Sequence, residues 1–156
     1  MTRVLLLAAC AAAWAGCDGG GGGSACGPTS GRISNVVDGD TVDLATGERI
    51  RYLLVNTPET HGTVECYGPE AAAFNTDLVL DQDVTLEYDV ECKDRYGRLL
   101  AYVTLTGGPM VNRVLLERGY ARILQVPPNG DKYIDEFNEL ERQARSAGAG
   151  LWGACP

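Results

Sequence analysis

The sequence has no C-x-x-C pair, no basic excess, no internal repeat and no apolar run long enough to span a bilayer as a permanent helix. Each absence removes a class of protein. Without C-x-x-C spacing, the cysteines do not read as a zinc site. Lysine and arginine total 13 against 21 aspartates and glutamates, a net charge of −8 that becomes about −9 if Arg3 is lost with a leader. That balance counts against a protein that coats nucleic acid through a broad basic face. It leaves room for a site that grips one phosphate locally, with weak non-specific affinity and a need for metal or salt screening. No repeat divides the chain, and its 156 residues suffice for one domain and are short for two.

What is present begins with an export-type leader. Arg3 supplies a positive start, Val4 to Ala15 an apolar stretch, and small residues follow. Two endings compete. Ala13-Trp14-Ala15 fits an A-x-A cleavage site, whereas Ala15-Gly16-Cys17 resembles a bacterial lipoprotein box. Cys10, after Leu7-Ala8-Ala9, also fits that box but would leave only a stub of apolar residues before it. The expectation is a signal peptide over 1–16, lipidation of Cys17, and a glycine-rich tether over 17–25 that lets the domain stand off a membrane. Membrane contact would then be through the lipid alone, with plain secretion or a soluble periplasmic protein as the alternative. The domain itself is expected over 26–156.

Four cysteines remain inside that domain: Cys26, Cys66, Cys92 and Cys155. In an oxidising compartment they favour bridges, and four cysteines allow three pairings. The expected pairing is Cys66–Cys92 with Cys26–Cys155, the second tying the two ends of the domain together.

Periodicity predicts a β-rich α+β fold. Ile33 to Val37 is apolar and β-branched, Thr41 to Ala45 alternates, and Arg49 to Val55 is a longer strand; Asp38-Gly39 and Thr46-Gly47 punctuate this meander. A helix follows, with Pro69 near its first position and Ala71, Phe74 and Leu78 at helical spacing. Val84, Leu86 and Tyr88 mark a fourth strand and Leu99 to Leu105 a fifth. Met110 to Arg118 reads as a short helix closed by Gly119, and Asp131 to Ala147 as a last helix with Ile134, Phe137, Leu140 and Ala144 on its buried stripe. Five strands with three interspersed helices suggest a small, partly open barrel of the OB type.

Three segments could carry chemistry. Asp38-Gly39-Asp40-Thr41 reads first as a hairpin turn, yet its two carboxylates also offer oxygens to a hard divalent cation. In Arg51-Tyr52-Leu53-Leu54-Val55-Asn56-Thr57-Pro58-Glu59, Pro58 holds Thr57 extended, Asn56 offers an amide oxygen and Glu59 a carboxylate just past the strand. Asp94-Arg95-Tyr96-Gly97-Arg98 is a charged turn whose arginines match phosphate oxygens and whose tyrosine could stack a base.

Together these segments resemble the staphylococcal-type thermonuclease family, which carries the same blocks in the same order. The likeness runs from Val36 to Trp152 and includes Tyr67-Gly68-Pro69-Glu70-Ala71 and Met110-Val111-Asn112. It implies an OB barrel with three helices and calcium-supported hydrolysis of DNA and/or RNA, endonucleolytic in mode. By resemblance, Asp40 is the principal calcium carboxylate, Asp38 its acidic partner as ligand or neighbour, and Thr57 a ligand through its carbonyl. Glu59 matches the base that activates water, Arg51 and Arg98 the phosphate-binding pair, and Arg95 and Tyr96 positions flanking bound nucleotide. The implied cofactor is one Ca2+ ion, the partner a nucleic-acid substrate, and the assembly a monomer. His61, the single histidine, has no counterpart role there.

The pattern departs in three places. Asn56 stands where a second calcium aspartate is expected, so the site loses one negative charge while keeping an oxygen. Thr60 to Cys66 is short and has no lysine, and no tyrosine stands near Gln125, Val126 and Pro127. Weaker calcium and base binding follow, with a Cys66–Cys92 bridge as compensation by pinning two site-bearing loops. The competing class is a non-catalytic nucleic-acid or nucleotide binding module, which the presence of Asp40, Arg51, Glu59 and Arg98 together disfavours; an envelope protein holding calcium or a sugar is a third.

Overall fold

The computed structural model describes residues 24–156. The expected leader, the lipidation site Cys17 and most of the tether lie outside the described residues.

Seven strands and four helices form the domain. They are β1 (Ser30–Val36), β2 (Thr41–Leu44), β3 (Arg49–Tyr52), β4 (Leu54–Asn56), α1 (Gly68–Val79) and β5 (Asp83–Lys93), then β6 (Leu99–Leu105), α2 (Val111–Glu117), β7 (Arg122–Leu124), α3 (Ile134–Ser146) and α4 (Leu151–Ala154). Five strands make a closed barrel in the order β1-β2-β3-β6-β5, the α+β OB architecture expected from the periodicity. Closure comes from β1 pairing antiparallel with β5, Ser30 opposite Thr85 and Arg32 opposite Asp83. The barrel is therefore shut where an opening was expected. β3 runs parallel to β6, Arg51 opposite Leu100, which brings the second and third chemical segments side by side.

The core follows from alternation. Ile33, Val42, Leu44, Ile50, Ala101 and Val103 point inward and are fully or almost fully buried. α1 begins at Gly68 after Tyr67, whose left-handed backbone turns the chain into the helix, with Pro69 in the first turn. α3 buries Phe137 and Ala144 of its anticipated stripe and leaves Ile134 and Leu140 partly covered against the core.

Two features escaped the periodicity. The long strand predicted over Arg49 to Val55 breaks after Tyr52, because Leu54 takes a left-handed backbone with φ 62°. The chain then leaves the barrel, and β4 pairs with β7 in a separate two-stranded ribbon, Asn56 opposite Arg122. The second is α4, a single turn beyond α3.

The disulfides correct both expected pairings. Cys26 bonds Cys92 and Cys66 bonds Cys155, in place of Cys66–Cys92 and Cys26–Cys155. Strand register explains the first. Moving back along β1 from Ser30 runs forward along β5 from Thr85, and the Thr29 carbonyl accepts from Leu86 while that of Pro28 accepts from the Tyr88 hydroxyl, so Cys26 arrives at Cys92. The second follows from the Gly119–Tyr120 corner. Tyr120 stacks on Tyr67 and Phe74 of the α1 end, while the Gly119 carbonyl accepts from Leu151 of α4. That corner holds the start of α1 and the chain after α4 together, and Cys155 reaches Cys66.

Candidate active site

The first two segments meet through a buried ion pair. Asp40 immediately precedes β2, is 5% exposed, and takes Arg51 Nε from β3 on Oδ1 at 3.0 Å. Thr41 Oγ1 donates to the same oxygen, while Thr57 donates its backbone N–H (2.8 Å) and hydroxyl (3.1 Å) to Oδ2. Asp38 Oδ1 accepts from the Asp40 N–H at 3.0 Å, so the turn reading and the functional reading of this segment hold at once. Close approach demands Gly39: a Cβ there would lie 2.6 Å from Thr57 Oγ1.

Burial raises the Asp40 carboxyl to about 6. The Arg51 charge opposes that rise, Asp38 adds to it, and the hydrogen bonds from Thr57 and Thr41 again oppose. A negative charge is thus held here under strain, only partly compensated by one guanidinium.

Arg51 is the most fully engaged cation of the site. Besides Asp40, its Nη1 donates to the Tyr52 and Val55 carbonyls at 2.6 and 2.7 Å, and Nη2 to Asn56 Oδ1 at 2.9 Å. Of the five N–H donors of a guanidinium, one remains for a ligand. Arg98, just before β6, is held by Asp94, whose Oδ2 accepts from Arg98 Nε at 2.6 Å. Asp94 also takes the N–H groups of Tyr96 and Arg98 on Oδ1, closing the turn. Burial pushes the Asp94 carboxyl up, but hydrogen bonds from Arg98 and Tyr96 and the Arg98 charge outweigh it and hold it below the usual carboxylate range.

Glu59 is exposed, and its main chain is clamped. Its N–H donates to Glu65 Oε2 at 3.1 Å and its carbonyl accepts from the Glu65 N–H at 2.9 Å. Gly68 packs directly on it; a Cβ there would stand 2.4 Å from the Glu59 carbonyl oxygen.

A cleft of about 240 Å³ is lined by Asp38, Asp40, Arg51, Asn56, Thr57, Glu59 and Arg98, with Pro58 and Leu124. Every catalytic and metal-ligating candidate from the sequence stands on its wall. Arg95 and Tyr96 line an adjoining hollow of about 500 Å³ instead. There the Tyr96 ring is exposed, with the Arg95 and Arg98 guanidinium carbons 4.8 and 5.5 Å from its centre. His61 lines none of these hollows, and its Nδ1 meets the Thr60 hydroxyl at 3.0 Å.

Residues 49–154 match the family described as staphylococcal nuclease homologue. The chain belongs to this family. It is 39% identical over 127 residues to the SPbeta prophage-derived endonuclease YokF of Bacillus subtilis (strain 168), covering 77% of this chain and 43% of that protein. Endonuclease YncB of the same organism is also 39% identical over 127 residues, covering 77% and 60%. The thermonuclease of Staphylococcus intermedius is 40% identical over 126 residues, covering 77% and 74%. The chain spans less than two thirds of the length of the two Bacillus relatives.

Sequence reasoning gave no role to two residues that hold this family site in shape, although Asn112 stands in one of the matching blocks. Asn75 of α1 is fully buried, accepts from the Tyr52 hydroxyl at 3.2 Å, and donates to the Asp38 carbonyl at 3.0 Å. Asn112 of α2, equally buried, donates to the Leu53 carbonyl at 2.8 Å and accepts from the Val103 N–H. The first amide anchors the acidic turn, and the second the corner between β3 and β4. A signal for Asn75 existed: it shares the buried stripe of Ala71 and Val79, where a polar residue needs a partner.

The donor chemistry fits a hard cation. Asp38 and Asp40 carry carboxylates, Asn56 an amide and Thr57 a main-chain carbonyl, and all four residues line one cleft that no cysteine or histidine lines. Among the described residues, no three His, Cys, Asp or Glu side chains form a metal-binding group by themselves. Beside the acidic pair on this cleft stand the neutral oxygen-bearing groups of Asn56 and Thr57.

Proposed function

We propose that this chain is a calcium-dependent nuclease that hydrolyses phosphodiester bonds of DNA and/or RNA as a monomer. The observation that carries this reading is the convergence of Asp40, Arg51, Glu59 and Arg98, from three separate stretches of sequence, on one cleft. The names of the relatives support it: two are endonucleases and one a thermonuclease.

Asp38, Asp40, Asn56 and Thr57 would hold the ion, which when bound supplies charge neutralisation beside a phosphoryl oxygen. The remaining donor of Arg51 and those of Arg98 bind the other phosphoryl oxygens and strengthen as charge builds there. Arg51 needs no reorganisation, because Asp40, Asn56 and two carbonyls already fix its plane. Glu59 accepts a proton from water as the water oxygen bonds to phosphorus. The bond to the leaving oxygen breaks, and that oxygen takes a proton from solvent.

The deciding assay incubates the purified protein with single-stranded DNA, in calcium or in chelator, beside Glu59→Gln. Cleavage in calcium, none in chelator, and a loss of at least about 10²-fold in the variant are expected. Equal activity of parent and Glu59→Gln would remove the proposed base. We further propose that the protein is exported and lipid-anchored at Cys17 in the cell envelope; labelled fatty acid incorporated equally by Cys17→Ala would rule that anchor out.

A further inference from the structure

The cleft is the middle of a longer groove. It shares Arg51, Arg98 and Leu124 with the 500 Å³ hollow at one end. At the other it shares Asn56 and Pro58 with a depression of about 450 Å³, walled by Glu65, the Cys66–Cys155 bridge, Arg122 and Pro156. Arg122 stands directly across the ribbon from Asn56, one strand spacing from the cleft wall.

Three of the five unpaired cations among the described residues line this groove. Most basic side chains of this acidic protein are neutralised by carboxylates, the Lys132–Glu87 and Arg113–Glu136 pairs among them. Among the described residues, Lys93, Arg95, Arg118, Arg122 and Arg145 have no ion pair. Lys93 and Arg95 line the hollow at one end. Arg122 lines the depression at the other, and its guanidinium carbon lies 4.8 Å from the Trp152 ring centre, with that of Arg145 at 4.5 Å. Two guanidiniums over one indole concentrate positive charge, and neither makes an ion pair; Glu141, one helical turn before Arg145, has an oxygen committed to the Ile123 N–H. Stacking also fixes their planes in advance, which lowers the ordering cost of binding an anion. Glu65, on the same wall as Arg122, has an oxygen committed to the Glu59 N–H.

We infer that Arg122, Arg145 and Trp152 form a distal phosphate subsite for a single strand that crosses the cleft and is cut at an internal linkage. This rests on the nuclease reading and adds to it where the strand goes beyond the reacting phosphate. The groove continues past the cleft at both ends, so a strand can pass through rather than stop in it.

The test compares cleavage of a 16-nucleotide and a 4-nucleotide oligothymidylate by the full chain and by Arg122→Gln/Arg145→Gln. The parent should favour the longer strand. The double variant should raise KM for it by about tenfold or more, as expected for losing charge-assisted contacts. Its salt dependence should become shallower by roughly 0.7 in log–log slope for each arginine that meets a phosphate. Arg118→Gln, an unpaired arginine lining none of the three hollows, should keep the parent's length preference. A parent that cleaves neither strand defeats the nuclease reading alone. A folded double variant with the parent's length preference and salt slope overturns the subsite.

A second measurement needs no arginine change. In the full chain carrying Trp14→Phe, Trp152 is the one tryptophan left. With chelator present, the 16-mer should shift its fluorescence, because Arg122 and Arg145 leave or tighten on the ring as phosphate binds. An unchanged spectrum at concentrations that saturate cleavage overturns the subsite as well.

Discussion

Arg51 and Arg98 face one cleft from opposite circumstances. Arg51 belongs to the barrel: its side chain is 11% exposed and spends four donors on Asp40, Asn56 and two main-chain carbonyls. Arg98 belongs to a turn at the rim, is 30% exposed, and leans on Asp94. The same chemical group is therefore part of the fold in one place and mounted on it in the other. Removing the first strips a buried carboxylate of its partner, whereas removing the second leaves the core untouched.

The largest effect should come from Arg51→Ala, which orphans Asp40 and is expected to cost about 3–5 kcal/mol of folding stability together with activity. Arg98→Ala, in contrast, should lower kcat by on the order of 10²–10³ while moving stability by less than about 1 kcal/mol. Denaturant unfolding of the two variants side by side checks both; equal stability losses would break the comparison.

Asp94→Asn sharpens it. Arg98 would lose its tether but keep its charge, so activity should fall by less than in Arg98→Ala. The sign of the pH dependence follows from the depressed Asp94 carboxyl. Its stabilisation is present above the ordinary carboxylate pKa of about 4 and is lost as pH falls through the lowered value. Melting temperatures of parent and Asp94→Asn should therefore differ at neutral pH and converge in acid. A gap that widens in acid would contradict the assignment.

The smallest effect concerns Asn56, whose amide oxygen already serves Arg51. Asn56→Asp adds negative charge to the cleft, so half-maximal activation should need less calcium. A calcium titration showing no change would mean that this position only orients Arg51.

Much of the site was legible because its residue types announce their chemistry. Each segment alone also reads as a turn or a polar strand exit, and it is the three in one order, matching a family's blocks, that point to an anion and a hard cation. The barrel was legible for a similar reason, since alternation marks each strand locally. What stayed hidden depends on the assembled fold. Cysteine partners follow from the closing of β1 on β5 and from the Gly119–Tyr120 corner, neither visible in spacing. The break at Leu54 has no glycine to announce it. Asn112 reads as an ordinary polar helix residue until the Leu53 carbonyl needs a donor.

The two disulfides join cysteines 66 and 89 positions apart, and each ends beside a loop of the groove: Cys92 just before the Asp94–Arg98 turn, Cys66 just after Glu59–Glu65. While thiols are kept reduced, as in a bacterial cytosol, neither crosslink forms, and the chain forgoes roughly 2–4 kcal/mol for each. With the proposed export, oxidation would be a ripening step, giving the two rims of the groove their final firmness only after the polypeptide meets an oxidising medium. Timing of that kind would suit the proposed nuclease, whose producer is itself full of susceptible polymer.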